Sequence, residues 1–212
     1  MLAGVDHVVI AVRDLAPAVR AYETLLGHEA TTRDERDGVE RALIATGDVA
    51  VELMAPAGES EGAARLEAAL QSGEGLKSLV FAVADVERAH RRAARVGLAP
   101  GPVQAGAHTS WRAFRLDTQK THGVRIFCIE RRAPLAPASA AADAVLGLDH
   151  VVVRSADVER AAALYGARLG LDMRLDRVVA NRRLMFFRCA GTVVEIAEAD
   201  GQGAQDALWG LS

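Results

Sequence analysis

The chain has 212 residues, half of them hydrophobic and a quarter charged, which is globular composition with enough length to bury a core. Its 28 acidic residues outnumber 25 basic ones for a net charge of −3, so it carries no basic footprint for nucleic acid or an anionic membrane. Aromatic residues make up only 4 %, which argues against a base-stacking surface, and no apolar run reaches the roughly 18 residues that span a bilayer.

The opening Met1-Leu2-Ala3-Gly4 lacks the basic and apolar regions of a secretory leader, and the expected compartment is the cytoplasm. Cys128 and Cys189 lie in separate apolar runs and read as buried free thiols.

In chain order, the β-branched run around Val8-Val9-Ile10 is the first predicted strand. Asp14 is placed to cap a helix from Leu15 to Leu26. Val19, Tyr22 and Leu26 recur there at helical spacing, and Gly27 can adopt the left-handed conformation that stops it. Shorter β-type runs follow, the last from Val49 to Met54, and then a short connecting helix from Gly62 to Leu70.

The pattern then restarts. Leu76 to Val83 is a strand, Asp85 caps a helix from Val86 to Val96, Gly97 ends it, and β-type runs close with Val124 to Ile129. A stretch from Arg131 to Gly147, rich in Ala and Pro and without a period, reads as a linker. The third start is Leu148 to Val153, with Asp157 capping a helix from Val158 to Leu169, Gly170 ending it, and Thr192 to Ala197 as the closing run. Leu208 to Ser212 resembles the opening of a fourth copy.

The register positions His7, Ser78 and His150 are 71 and 72 residues apart, and an aspartate follows each of them by seven residues. The expected architecture is α+β: tandem βαβββ modules, with residues 1–132 as a two-module domain, 133–146 as an Ala/Pro linker and 147–212 as a third module. A lone module exposes sheet edges and one apolar face. The third is therefore expected to pair across a homodimer, or with a module outside this sequence.

Two modules carry polar residues inside apolar strands. His7 and Glu52, and again His150 and Glu195, are separated by the same 45 residues. A carboxylate in mid-strand is costly unless it is paired, protonated or bound to a cation. His and Glu together suit a divalent metal such as Zn, Ni, Fe, Co or Mn.

Asp6-His7-Val8-Val9-Ile10-Ala11-Val12-Arg13-Asp14-Leu15, the closing Val51-Glu52-Leu53 and their recurrence resemble the vicinal oxygen chelate superfamily of glyoxalases, bleomycin-resistance proteins and extradiol dioxygenases. The resemblance implies modules curled into a cup, with first- and fourth-strand residues binding a metal that chelates substrate oxygens. It implies His7, Glu52, His150 and Glu195 as metal ligands, with Glu52 and Glu195 as catalytic bases. The implied activities are those of a lyase, isomerase or dioxygenase acting on a small oxygenated metabolite. The alternative it implies is a metal-free protein that binds an antibiotic or another small molecule.

The second copy departs from the pattern, with Ser78 at the His position and Phe127 at the Glu position. A cup from the first two modules then offers His7 and Glu52 alone. A symmetry-related pair of third modules would offer two His150 and two Glu195. His108 and His122 fall outside the ligand register, His28 and His90 read as surface residues, and Arg91, Arg92 and Arg95 form a basic helix face. Trp111 and Arg112 open a strand, and Met173, Met185, Phe186 and Phe187 read as core. No phosphate-cradling Walker loop, strand-linked GxGxxG or nucleophile elbow occurs.

Overall fold

The three aspartates predicted as helix caps all act as caps, Asp14 through the second residue after it and Asp85 and Asp157 through the third. Asp14, Asp85 and Asp157 accept hydrogen bonds from the N–H groups of Ala16, Arg88 and Arg160, which would otherwise be unsatisfied at a helix start. Gly27, Gly97 and Gly170 follow the helices at φ of 70°, 75° and 79°, where a side chain would be strained.

The structure is a computed structural model describing residues 2–47, 49–106, 110–135, 139–201 and 205–212, and it forms two compact units. One unit comprises residues 7–77 and 134–147; the other comprises residues 1–6, 78–133 and 148–212.

The first unit holds β1 (Leu2–Ala11) from His7 onward, α1 (Leu15–Leu26), β2 (Thr32–Arg36), β3 (Val39–Ala45), β4 (Ala50–Pro56) and α2 (Glu61–Leu70). The strand order is β2-β3-β4-β1, antiparallel except for the parallel β4–β1 pair. Asp37 and Gly38, at φ of 51° and 61°, form a tight left-handed turn between β2 and β3. Leu66 and Leu70 of α2 pack with Ala11, Val39 and Met54.

The described residues of the stretch read as a linker are tied to the rest of their unit. Leu135 packs on Leu43, Ala45 and Ala50. Val145 and Ala141 donate backbone hydrogen bonds to Leu26 and Gly27, and Gly47 donates to Leu146. His28 is therefore not a surface residue. It is 6 % exposed, and its Nε2 lies 2.8 Å from the Val145 carbonyl oxygen. Its short apolar neighbourhood gave no warning, because the burying chain arrives from more than 100 residues downstream.

The second unit contains two of the repeated modules. The first has β5 (Gly75–Val83, from Ser78 on), α3 (Val86–Arg95), β6 (Gln104–Ala105), β7 (Trp111–Arg115) and β8 (Arg125–Arg131), in the order β5-β8-β7-β6. The other has β9 (His150–Ser155), α4 (Val158–Ala162), β10 (Asp172–Val179), β11 (Arg182–Cys189), β12 (Thr192–Glu198) and β13 (Ala207–Leu211), in the order β10-β11-β12-β9-β13. The predicted opening of a fourth copy is thus a strand, antiparallel to β9.

The helix expected from Val158 to Leu169 changes character midway, continuing from α4 as a π-helix over Ala163–Arg168. The wider turn buries Leu164 and Tyr165 side by side, and Gly166 lets the backbone approach Phe187. Met185 and Phe187 are buried as expected. Met173 is 50 % exposed because β10 is an edge strand with both faces open. His90 is half-buried, with Nε2 3.0 Å from the Gly101 carbonyl oxygen and its ring edge against Phe114. Cys128 and Cys189 are buried free thiols, and burial pushes their pKa up to about 12 and about 11. Among the described residues no helix is long and apolar enough to cross a membrane.

The repeat is also a repeat of register. First and fourth strands pair in parallel in all three modules: His7 opposite Ala50 and Val9 opposite Glu52; Ser78 opposite Arg125 and Val80 opposite Phe127; His150 opposite Val193 and Val152 opposite Glu195. Side chains alternate along a strand, so this register puts the His or Ser and the Glu or Phe on one face of each sheet.

Candidate metal and ligand site

In the first module that shared face brings His7 and Glu52 together. Nε2 of His7 lies 3.4 Å from Oε2 of Glu52, and the two side chains are 8 % and 22 % exposed. The imidazole offsets the cost of holding a carboxylate in mid-strand.

In the third module the face is arranged differently. Nδ1 of His150 lies 2.8 Å from Oδ2 of the adjacent Asp149. The ring meets the edge of Phe186, with centroids 5.7 Å apart, and Phe186 is the cross-strand neighbour of Glu195. His150, Phe186 and Glu195 are all half-buried. Among the described residues Glu195 has no ion-pair partner, so His150 and Glu195 share a face without pairing. Arg177 lies over Phe186, and Arg154 lies over the exposed Trp209.

In the second module Ser78 is buried and Phe127 fills the position occupied by glutamate in the other two. His122 sits in the loop before β8 at φ 57°, outside the ligand register. His108 lies outside the described residues. No group of three or more His, Cys, Asp or Glu side chains able to hold a metal comes together among the described residues.

Asp6 and Asp149 precede the two register histidines, so an Asp-His dipeptide repeats with the module and signals a role for the aspartates. Their uses differ. Asp6 accepts a two-pronged ion pair from Nε and Nη2 of Arg131, at 2.8 Å for the closest contacts, with side chains 8 % and 19 % exposed. Asp149 instead holds its own histidine.

A second polar cluster lies between the loop before β8 and the third module. The Asp206 carboxylate, fully buried, accepts from the Ser155 hydroxyl and from Arg160, each at 2.7 Å, and the Asp206 N–H donates to the His122 carbonyl. Burial and the nearby Asp206 raise the pKa of the Tyr165 phenol. His122 is lowered, first by desolvation and then by Arg160, with Asp206 opposing.

A family model described as a glyoxalase-like domain matches residues 5–174, and that of the glyoxalase/bleomycin resistance protein/dioxygenase superfamily matches residues 147–211. A Streptomyces coelicolor methylmalonyl-CoA epimerase, solved in complex with 2-nitronate-propionyl-CoA, is 24 % identical with a TM-score of 0.55, over 63 % of this chain and 100 % of its own. The methylmalonyl-CoA epimerase from Mycobacterium tuberculosis is 28 % identical with a TM-score of 0.55, over 62 % of this chain and 90 % of its own. No curated protein matches the chain. The thrice-repeated strand register and the match across residues 5–174 lead to one conclusion: the chain belongs to the glyoxalase-like domain family.

Proposed function

We propose that the protein is a divalent-metal enzyme, a lyase, isomerase or dioxygenase acting on a small oxygenated metabolite, with His7, Glu52, His150 and Glu195 as metal ligands. The observation that carries this reading is the 3.4 Å spacing of the His7 and Glu52 donor atoms across two parallel strands. An ion with tetrahedral bonds of about 2.1 Å separates neighbouring donors by about 3.4 Å. The residues therefore fit part of a ligand set, two donors from one module, and the described residues supply no third beside them. When bound, a metal would polarise a substrate carbonyl and acidify bound water.

The chain's own residues do the rest. Glu52 and Glu195 are the groups that would take and return a proton. Asp149 fixes the ring of His150 with Nδ1 occupied, which leaves Nε2 as the free donor. The likeness to methylmalonyl-CoA epimerases favours isomerisation beside a thioester carbonyl as the first activity to assay. The exposed apolar residues of the third module, Leu175, Val179 and Trp209 among them, support a homodimer built through that module.

A metal-free small-molecule or antibiotic-binding protein is the second reading, favoured by Ser78 and Phe127 in the ligand register of the second module. Metal analysis of the purified chain separates the two. The enzyme reading expects stoichiometric divalent metal that His7→Ala or Glu52→Ala removes. A metal-free chain whose melting is indifferent to chelator and to added Zn or Ni would leave only the binding protein.

A further inference from the structure

Helix α3 carries Arg88, Arg91, Arg92 and Arg95, and its buried side is Val86, Ala89 and Ala93. At 3.6 residues per turn Arg88, Arg91 and Arg95 fall within about 60° of one another around the axis, over a rise of about 10 Å. All three are exposed. Arg92, on the flank, turns toward the backbone of Gly170 and stands apart from them.

No carboxylate interrupts the stripe. Glu87, the acid within the helix, pairs with Arg112, and Asp85 is used as the cap. Among the described residues none of the three exposed guanidinium groups forms an ion pair or hydrogen bond. Several other surface arginines do face carboxylates: Arg33 meets Glu23, Arg65 meets Glu61 and Arg183 meets Asp176.

The stripe opposes the helix that carries it. Like charges three and four residues apart repel along a helix face. The helix dipole welcomes Arg95 in the last turn, but a cation in the first turn, where Arg88 stands, meets the positive end. The solvated-face explanation therefore covers Arg95 and fails at Arg88. The three side chains, with His90 and Ala94, also line an open depression of ≈ 370 Å³.

We propose that this stripe is a binding site for a small molecule carrying adjacent phosphates, a pyrophosphate group in particular. Guanidinium forks match phosphate oxygens in pairs, and several of them converge on a multiply charged group where a single carboxylate could use only one. The net charge of −3 and the short length of the stripe disfavour a nucleic-acid strand, which needs an extended basic track.

The test is titration calorimetry of the full chain with sodium pyrophosphate at low salt, against the Arg88→Gln/Arg91→Gln/Arg95→Gln variant and an Arg33→Gln/Arg65→Gln control. The expected result is saturable binding to the native chain and the control, weakened at least about tenfold in the triple variant. Because all three side chains are exposed and repel one another, the triple variant should melt no lower than the native chain. Absence of saturable binding, or binding that survives the triple substitution, overturns the site. A single-stranded oligonucleotide that binds tighter than pyrophosphate, and is lost with the same substitutions, overturns the small-molecule assignment.

Discussion

Asp149 and His150 are neighbours in the chain and partners in the fold, with Oδ2 of the carboxylate 2.8 Å from Nδ1 of the ring. In the first module the same dipeptide divides its labour. Asp6 is taken by Arg131, and His7 turns to Glu52. The two histidines are thus presented in different ways, one by a carboxylate behind it and one beside a carboxylate across the sheet. If His150 is a metal ligand as proposed, Asp149→Ala should release its ring and weaken divalent-metal binding by about tenfold or more. Calorimetry with Zn or Co checks this, and unchanged affinity would remove Asp149 from the site.

His7→Ala leaves Glu52 in mid-strand without its imidazole. In metal-free buffer this should lower stability by about 1–3 kcal/mol, read from the urea midpoint at unchanged slope. The paired His7→Leu/Glu52→Leu variant should recover much of that loss, since an apolar pair of similar size restores packing without a mid-strand carboxyl group deprived of its imidazole. A double variant as unstable as the single one would mean that the pair supports the fold by itself.

The Asp6–Arg131 pair is mostly withdrawn from water and doubly hydrogen-bonded. Removing one partner takes a doubly hydrogen-bonded ion pair from the other, so Asp6→Ala and Arg131→Ala should each cost about 3 kcal/mol, with a combined loss well short of the sum. Additive losses in a double-mutant cycle would show that the two do not interact.

Stability should fall in mild acid on account of His122. Desolvation, reinforced by Arg160, holds its folded pKa below the unfolded value of about 6.5. The unfolded chain therefore binds the proton more readily. The contribution is complete above that unfolded value and is lost as pH drops through the lower folded one. His122→Asn, which suits the left-handed backbone there, should flatten the stability profile between about pH 7 and pH 5. An unaltered slope would place the acid sensitivity elsewhere.

Ala180 stands at φ 49° in the tight turn between β10 and β11, next to Asn181 at φ 62°. An alanine there is strained, so Ala180→Gly should stabilise the hairpin by about 1 kcal/mol and raise the melting temperature. A lower melting point would show that the turn tolerates alanine.

The repeat, the capping aspartates, the terminating glycines and the positions of His7, Glu52, His150 and Glu195 were legible in the sequence because they are set by local periodicity. A strand shows its alternation within six residues, and a helix shows its cap and its stop at its ends. Equal spacing from one module to the next even carried the shared strand register, as Ser78 and Phe127 show by occupying the same positions without the ligand chemistry. Tertiary structure decided which donors meet. Glu52 reaches His7, whereas Asp149 takes His150 and leaves Glu195 apart; His28 disappears beneath a segment more than 100 residues away; and Asp206 finds Ser155 and Arg160. Most of these pairings depend on distances of 2.7 to 3.4 Å between groups remote in sequence. Periodicity assigns a side chain to a face, and only packing fixes its neighbour on that face.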